Sequence, residues 1–123
     1  MIPASVRIFV CRDPQDMRRS FDGLVLCVRQ VLGEEPQSGA LLCFVSKRAN
    51  RLKALWWDRN GYCLLYKHLH RTRFEMPREG AGNGASLRID GAELARLLVG
   101  VAKPQRWQRI SRHYSVTNVE SAA

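Results

Sequence analysis

The sequence predicts an α+β fold: a hairpin-rich antiparallel sheet with one helix after the first strand and one near the C-terminus. Three observations carry this prediction. Short β-branched and apolar runs recur between turn residues through the middle of the chain. A helix-spaced apolar stripe follows the first of these runs, and a second stripe, opened by a capping box, lies near the C-terminus. A chain of 123 residues fits one domain and buries roughly two-thirds of its unfolded surface, enough for a core without staples. The domain is expected over residues 1–102, with 103–123 a basic, loosely ordered tail or a helix that forms on binding.

Taken in order, Ser5–Cys11 reads as the first strand. Asp13 is suited to cap a helix, Pro14 to its first position, and Asp16 to the position three residues after the cap. Met17, Phe21, Leu24, Val28 and Val31 then form one stripe that stops near Gly33, and 34–39 is a loop. Ala40–Ser46 and Leu52–Trp57 read as strands flanking the basic turn Lys47–Arg51. Asp58-Arg59-Asn60-Gly61 is a hairpin turn because Asn-Gly tolerates positive φ, and Tyr62–Leu69 returns as the next strand. His70 to Thr72 is a tight connection and Arg73–Met76 a further short strand. The loop Pro77 to Gly84 has spaced glycines but opens no helix, so it is no phosphate cradle. Ser86–Ile89 is a strand. Asp90-Gly91-Ala92-Glu93 is a capping box in its Asp form, opening a helix with the stripe Leu94, Leu97, Leu98 and Val101.

Alternation assigns the hairpin faces, because neighbours on a strand point opposite ways and Trp56 and Trp57 cannot share one core. With a two- or four-residue turn, Arg51, Lys53, Leu55 and Trp57 share a face with Tyr62, Leu64, Tyr66 and His68. A three-residue turn swaps the faces. Leu52, Ala54, Trp56, Cys63, Leu65 and Leu69, with Leu41, Cys43 and Val45, form the expected core face. The first face mixes cations with aromatics and is suited to neutralising phosphates and stacking on bases. Cover of Trp57 by the C-terminal helix is the alternative.

Charge is regional. The net charge is +9, and residues 47–73 hold eight Lys/Arg against Asp58 alone, giving +7. Residues 103–112 add four cations and no acid, which leaves the remainder near −2. Concentration of this kind is what a polyanion-binding surface requires; an acidic protein partner is the alternative. Cys11, Cys27, Cys43 and Cys63 lie in apolar runs without a CxxC pair, as expected of buried thiols in a reducing compartment. No apolar run approaches the roughly 18 residues of a membrane span, and the first residues lack a signal-peptide pattern, so a cytoplasmic protein without a membrane partner is expected.

The runs Asp16-Met17-Arg18-Arg19-Ser20-Phe21-Asp22-Gly23-Leu24, Ser38-Gly39, Arg51-Leu52-Lys53-Ala54-Leu55-Trp56-Trp57-Asp58, Gly61-Tyr62-Cys63-Leu64, Lys67-His68-Leu69 and Arg73-Phe74 occur in that order within residues 1–102. Together they resemble the accessory protein (transposition protein B, second open reading frame) of insertion-sequence-66-type transposons. The resemblance implies a protein that accompanies a separate, larger transposase and assists transposition, with no assigned catalytic residues. The chain departs from the family pattern at Thr72, where glycine is usual in an Arg-Gly-Arg turn, and in the stretch from Lys103 to Ala123.

Nothing in the acids suggests an enzyme. Transposition chemistry is metal-assisted phosphoryl transfer and needs clustered carboxylates. The 11 acids here are scattered, and Asp16 and Asp22 would stand about 240° apart around a helix. His68 and His70 share a strand face but lack a third ligand, so neither metal nor cofactor is expected. The expected function is therefore non-catalytic. Lys47, Arg48, Arg51, Lys53, Arg71 and Arg73 would sit on the phosphates of transposon-end DNA, with Trp57 or Tyr62 stacking. The alternative is a module that docks onto the transposase without touching DNA.

Overall fold

The computed structural model describes residues 6–77 and 84–102. Among them, seven strands and two helices follow one another as β1 (Ile8–Cys11), α1 (Phe21–Cys27, continued by a wider π turn over Val28–Leu32), β2 (Leu41–Val45), β3 (Arg51–Asp58), β4 (Gly61–His68), β5 (Thr72–Arg73), β6 (Ser86–Ile89), α2 (Gly91–Val99) and β7 (Val101–Ala102). The α+β class and both helix positions are as the sequence predicts. The tail 103–123 and the glycines at 80 and 82 lie outside the described residues.

The main sheet has the order β4-β3-β2-β1-β6 and is mixed, not wholly antiparallel, because β1 pairs with β2 in parallel. A parallel pair cannot be closed by a tight turn and needs a crossover, which α1 supplies. All residues of β1 and β2 are buried, the pattern of strands covered on both faces. On one face Leu24, Cys27, Val28 and Leu32 of α1 pack with Phe9, Cys11, Leu42, Phe44 and Leu55. On the other, Leu97 of α2, with Leu94 and Leu98 half-buried, packs with Val10, Leu41, Cys43, Leu52, Ala54 and Phe74. The single core face expected from alternation is thus one of two.

The first helix begins at Phe21, seven residues after the Pro14 start that the sequence suggests. Gln15 N–H donates to the Val45 carbonyl (3.0 Å), which holds this segment against the end of β2. Asp16 spends its carboxylate locally: Arg18 N–H donates to it at 2.9 Å, closing an Asx turn instead of capping a helix. Within the helix, Leu24, Val28 and Leu32 recur every four residues. The wide π turn, with its i→i+5 bonds, keeps Leu32 on the buried line and leaves Val31 41% exposed. Gly33, at φ 68°, ends it.

The second helix starts as the sequence predicts. Asp90 Oδ1 accepts from Glu93 N–H (2.8 Å) and Glu93 Oε1 accepts from Asp90 N–H (3.1 Å). It ends at Val99, two residues short of Val101, the last of the expected stripe. Gly100 turns the chain at φ 82° and Val101 pairs with Arg73 in a small β5–β7 ribbon. A Cβ at Gly100 would lie 2.9 Å from the Arg73 carbonyl oxygen and 2.8 Å from Leu69, so this crossing requires glycine. Of the strand expected over Arg73–Met76, only Arg73 is in β5, and residues 74–76 follow it outside any strand.

Phe44 is fully buried under α1. Phe44→Ala should lower unfolding free energy by about 3–5 kcal/mol in urea denaturation, while Leu26→Ala, at a half-exposed helix position, should cost less than about 1 kcal/mol.

Candidate nucleic-acid interface

The hairpin register is set by a two-residue loop, Arg59–Asn60, with Asp58 opposite Gly61, Trp57 opposite Tyr62 and Arg51 opposite His68. The face assignment made from alternation therefore holds. Positive φ is taken by Arg59 (55°), not by the Asn-Gly pair that suggested the turn.

Sharing a face does not bring the expected residues into one site. Arg51 and Trp57 are six residues apart along β3, about 20 Å at the usual strand rise. Trp57 and Tyr62 form an edge-to-face pair at the far end, with centroids 4.9 Å apart and planes at 73°. Lys53, between them, is 7% exposed. Its Nζ donates to the Arg19 carbonyl (2.7 Å) and lies 5.0 Å from the Tyr66 ring centre. Helix α1 and the segment leading into it cover the middle of this face, and Tyr62 and Leu64 pack at its margin. Trp57 is half-buried, and it is the N-terminal helix, not the C-terminal one, that occupies its face.

The cations that gather do so at the other end of the hairpin. Lys47, Arg48 and Arg51 are exposed on the β2–β3 connection. This connection is held tightly. Ser46 N–H donates to Arg51 O (2.9 Å), Ala49 N–H to Ser46 O (2.9 Å), and Arg51 N–H to Ser46 Oγ (3.1 Å). Two further bonds tie it to the next segment, from Leu69 N–H to Asn50 O (2.8 Å) and from Phe74 N–H to Ala49 O (2.7 Å). Ala49 sits at φ 59°, a conformation that costs a non-glycine residue about 1–2 kcal/mol and that these bonds hold in place.

Two clefts flank this connection and meet at Arg48 and Asn50. One, of about 360 Å³, is lined by Gln15–Arg18 together with Ser46, Lys47 and Arg51. Its acid, Asp16, is bound by Arg18, whose guanidinium holds the carboxyl down to about 2. The cleft therefore keeps the positive charge of Lys47, Arg48 and Arg51. The other, of about 260 Å³, is lined by His68, Leu69, His70, Thr72 and half-buried Arg73, with no acid. Arg71 is exposed beside it. The His68 and His70 rings are 4.3 Å apart, and desolvation, His70 and Arg51 together lower the His68 pKa.

No group of three His, Cys, Asp or Glu among the described residues is placed to hold a metal ion, so His68 and His70 gain no third ligand there. Cys11, Cys27 and Cys43 are buried free thiols and Cys63 is half-buried; burial pushes Cys43 up to about 12, far from reactivity. No helix among the described residues is long and apolar enough to cross a membrane.

The family described as IS66 Orf2-like protein matches residues 6–109. The chain belongs to this family. Its members are transposition-associated accessory proteins of insertion sequences and are not known as catalysts. Two proteins of Sinorhizobium fredii (strain NBRC 101917 / NGR234) are similar along most of their lengths. Uncharacterized protein y4hO is 36% identical over 103 residues, covering 82% of this chain and 87% of its own. Uncharacterized protein y4jC is 33% identical over 109 residues, covering 87% and 86%. No solved structure matches.

Two outcomes test the geometry. Lys53→Ala leaves the Arg19 carbonyl without its donor and should destabilise the fold by about 1–3 kcal/mol, measured by urea denaturation. A stability equal to the parent's would contradict the buried placement of Lys53. The His68 imidazole should titrate below its ordinary 6.5, and Arg51→Ala should move it upward in an NMR titration. Because the unfolded chain takes up this proton more readily, the His68 contribution to stability is complete above pH 6.5 and declines as pH falls below it.

Proposed function

We propose that this IS66 Orf2-like protein assists transposition by binding DNA through the basic end of its hairpin. Lys47, Arg48 and Arg51 contact phosphates from the β2–β3 connection, and Arg71 and Arg73 do so from the adjoining segment. The observation that carries this reading is the set of three exposed cations on a hydrogen-bonded turn between two clefts whose acid is already paired. A turn whose backbone is fixed before binding loses little backbone entropy when its cations meet phosphates, and duplex DNA offers one negative charge per about 1.7 Å of its axis. Lys53 is not among these contacts, since its ammonium is committed to the Arg19 carbonyl. Trp57 and Tyr62 form a second contact point about 20 Å away, a distance that spans roughly six base pairs. Transposon ends are the DNA this role calls for, and the cytoplasm is its compartment.

A second reading, docking onto the transposase of the same element, draws support from an apolar cleft of about 540 Å³ between α2 and residues 75–77, lined by Met76, Pro77, Leu97, Val99 and Val101. Co-purification with the transposase that survives nuclease treatment and the Lys47/Arg48/Arg51 substitutions would favour it.

A salt-titrated binding assay with transposon-end and random duplexes tests the first reading. Affinity should fall steeply with salt. The triple variant Lys47→Ala/Arg48→Ala/Arg51→Ala should flatten the log–log salt slope by about 2.7, which is about 0.9 for each phosphate no longer neutralised. Binding and slope unchanged in that variant would rule the basic end out.

A further inference from the structure

We infer that β4 is a pairing edge, and that a second copy of this chain adds its own β4 antiparallel to it, with Leu65 on the twofold axis. β4 is the outer strand of the main sheet at the end opposite β6. It is eight residues long and contains no proline. Sheet proteins ordinarily protect such an edge with proline, a bulge or an outward charge. Here the lysine of the strand is used elsewhere: Lys67 Nζ donates to the Leu98 carbonyl at the end of α2 (2.7 Å). One large apolar side chain is exposed on each face instead, Leu65 at 43% and Tyr66 at 52%.

The register follows from the hairpin. Its two-residue loop makes Asp58–Gly61 a hydrogen-bonded pair, and the bond from Leu69 N–H to Asn50 O continues the same alternation at the other end. The backbone groups of Gly61, Cys63, Leu65 and Lys67 therefore turn toward β3. Those of Tyr62, Leu64, Tyr66 and His68 point outward. Two copies of one strand can pair antiparallel with equivalent faces together only if opposed residues share parity. Centring on Leu65 sets it against its own counterpart, where closely spaced non-hydrogen-bonded pairs put Cα atoms about 4.5 Å apart. Leu64 then meets Tyr66, and Tyr62 meets His68, through the outward backbone groups.

Charge selects this orientation over a parallel one. Antiparallel pairing places the Asp58–Asn60 turn, neutral through Asp58 and Arg59, beside the basic His70–Arg73 segment of the second copy. A parallel pair would set two basic ends side by side. The arrangement also completes the DNA-facing surface: the Trp57–Tyr62 pair of one copy comes next to the Arg51–His68 pair of the other. Two features separated by about 20 Å in one chain become neighbours in the dimer. The paired surface is small, so dimers forming at micromolar concentrations are expected.

Sedimentation of the full chain without DNA tests this, independently of any nucleic-acid binding. At concentrations of about 100 μM the mass should be twice the chain's 14.0 kDa. Leu65→Lys, a change at an exposed position, should halve that mass with the circular dichroism spectrum unchanged. In a Cys63→Ser background, Leu65→Cys should give a disulfide-linked dimer on mild oxidation, since the opposed Cα atoms fall within the roughly 4.4–6.8 Å that a disulfide spans; Cys63→Ser alone should give none. A monomer at that concentration would overturn the inference. A dimer that persists in Leu65→Lys and does not cross-link through Leu65→Cys would overturn it as well, by placing the interface on another face.

Discussion

The parallel pairing of β1 with β2 is the constraint on which the rest of this molecule depends. Both strands are apolar on both sides, so neither face of the sheet centre tolerates water, and each needs a helix. The crossover that a parallel pair demands delivers α1 to one face, and the capping box after β6 starts α2 over the other. Burying these two layers at about 25 cal/mol per Å² of apolar surface is the main force holding the strand order. Placing β1 and β2 at the centre leaves β6 and β4 as edges and pushes the polar connections to the ends of the sheet.

Function follows from where that packing stops. Helix α1 covers the middle of the hairpin face, so the cation there, Lys53, serves as an internal brace on the Arg19 carbonyl. Beyond the cover, at the Arg51–His68 end, the connection carrying the cations is anchored on the α2 side of the core by Phe74, with Ala49 and Leu69 packed against that core. It is held by backbone hydrogen bonds among Ser46, Ala49, Asn50, Arg51, Leu69 and Phe74. Such a region can be rigid and strongly charged at once, because the packing and backbone bonds that order it leave the side chains of Lys47, Arg48 and Arg51 exposed. Gly100 closes the same end by letting β7 cross Thr72 and Arg73 at close range.

Local signals were legible wherever local bonds decide the outcome. The hairpin turn at Asp58–Gly61, the Asp90–Glu93 capping box and the stop at Gly33 all depend on residues within a few positions of each other, and each stands where the sequence places it. The Asp13-Pro14 start failed because it was outweighed by a distant partner, the Val45 carbonyl that holds Gln15. The shift of the buried stripe from Val31 to Leu32 has a different origin, a change of helix winding that composition does not encode.

By itself, then, the sequence determined the α+β class, the charge concentrated between residues 47 and 73, the opposed directions of Trp56 and Trp57, and the membership of the IS66 Orf2-like family. Alternation and spacing are properties of the chain and survive any packing. Which cations are available for a ligand was decided only by tertiary structure. Arg51 and Lys53 are two residues apart on one strand face, with the same charge and the same alternation. One is exposed at the end of the sheet and the other is closed over by α1, because helix placement is settled by the whole core and not by the hairpin that carries them.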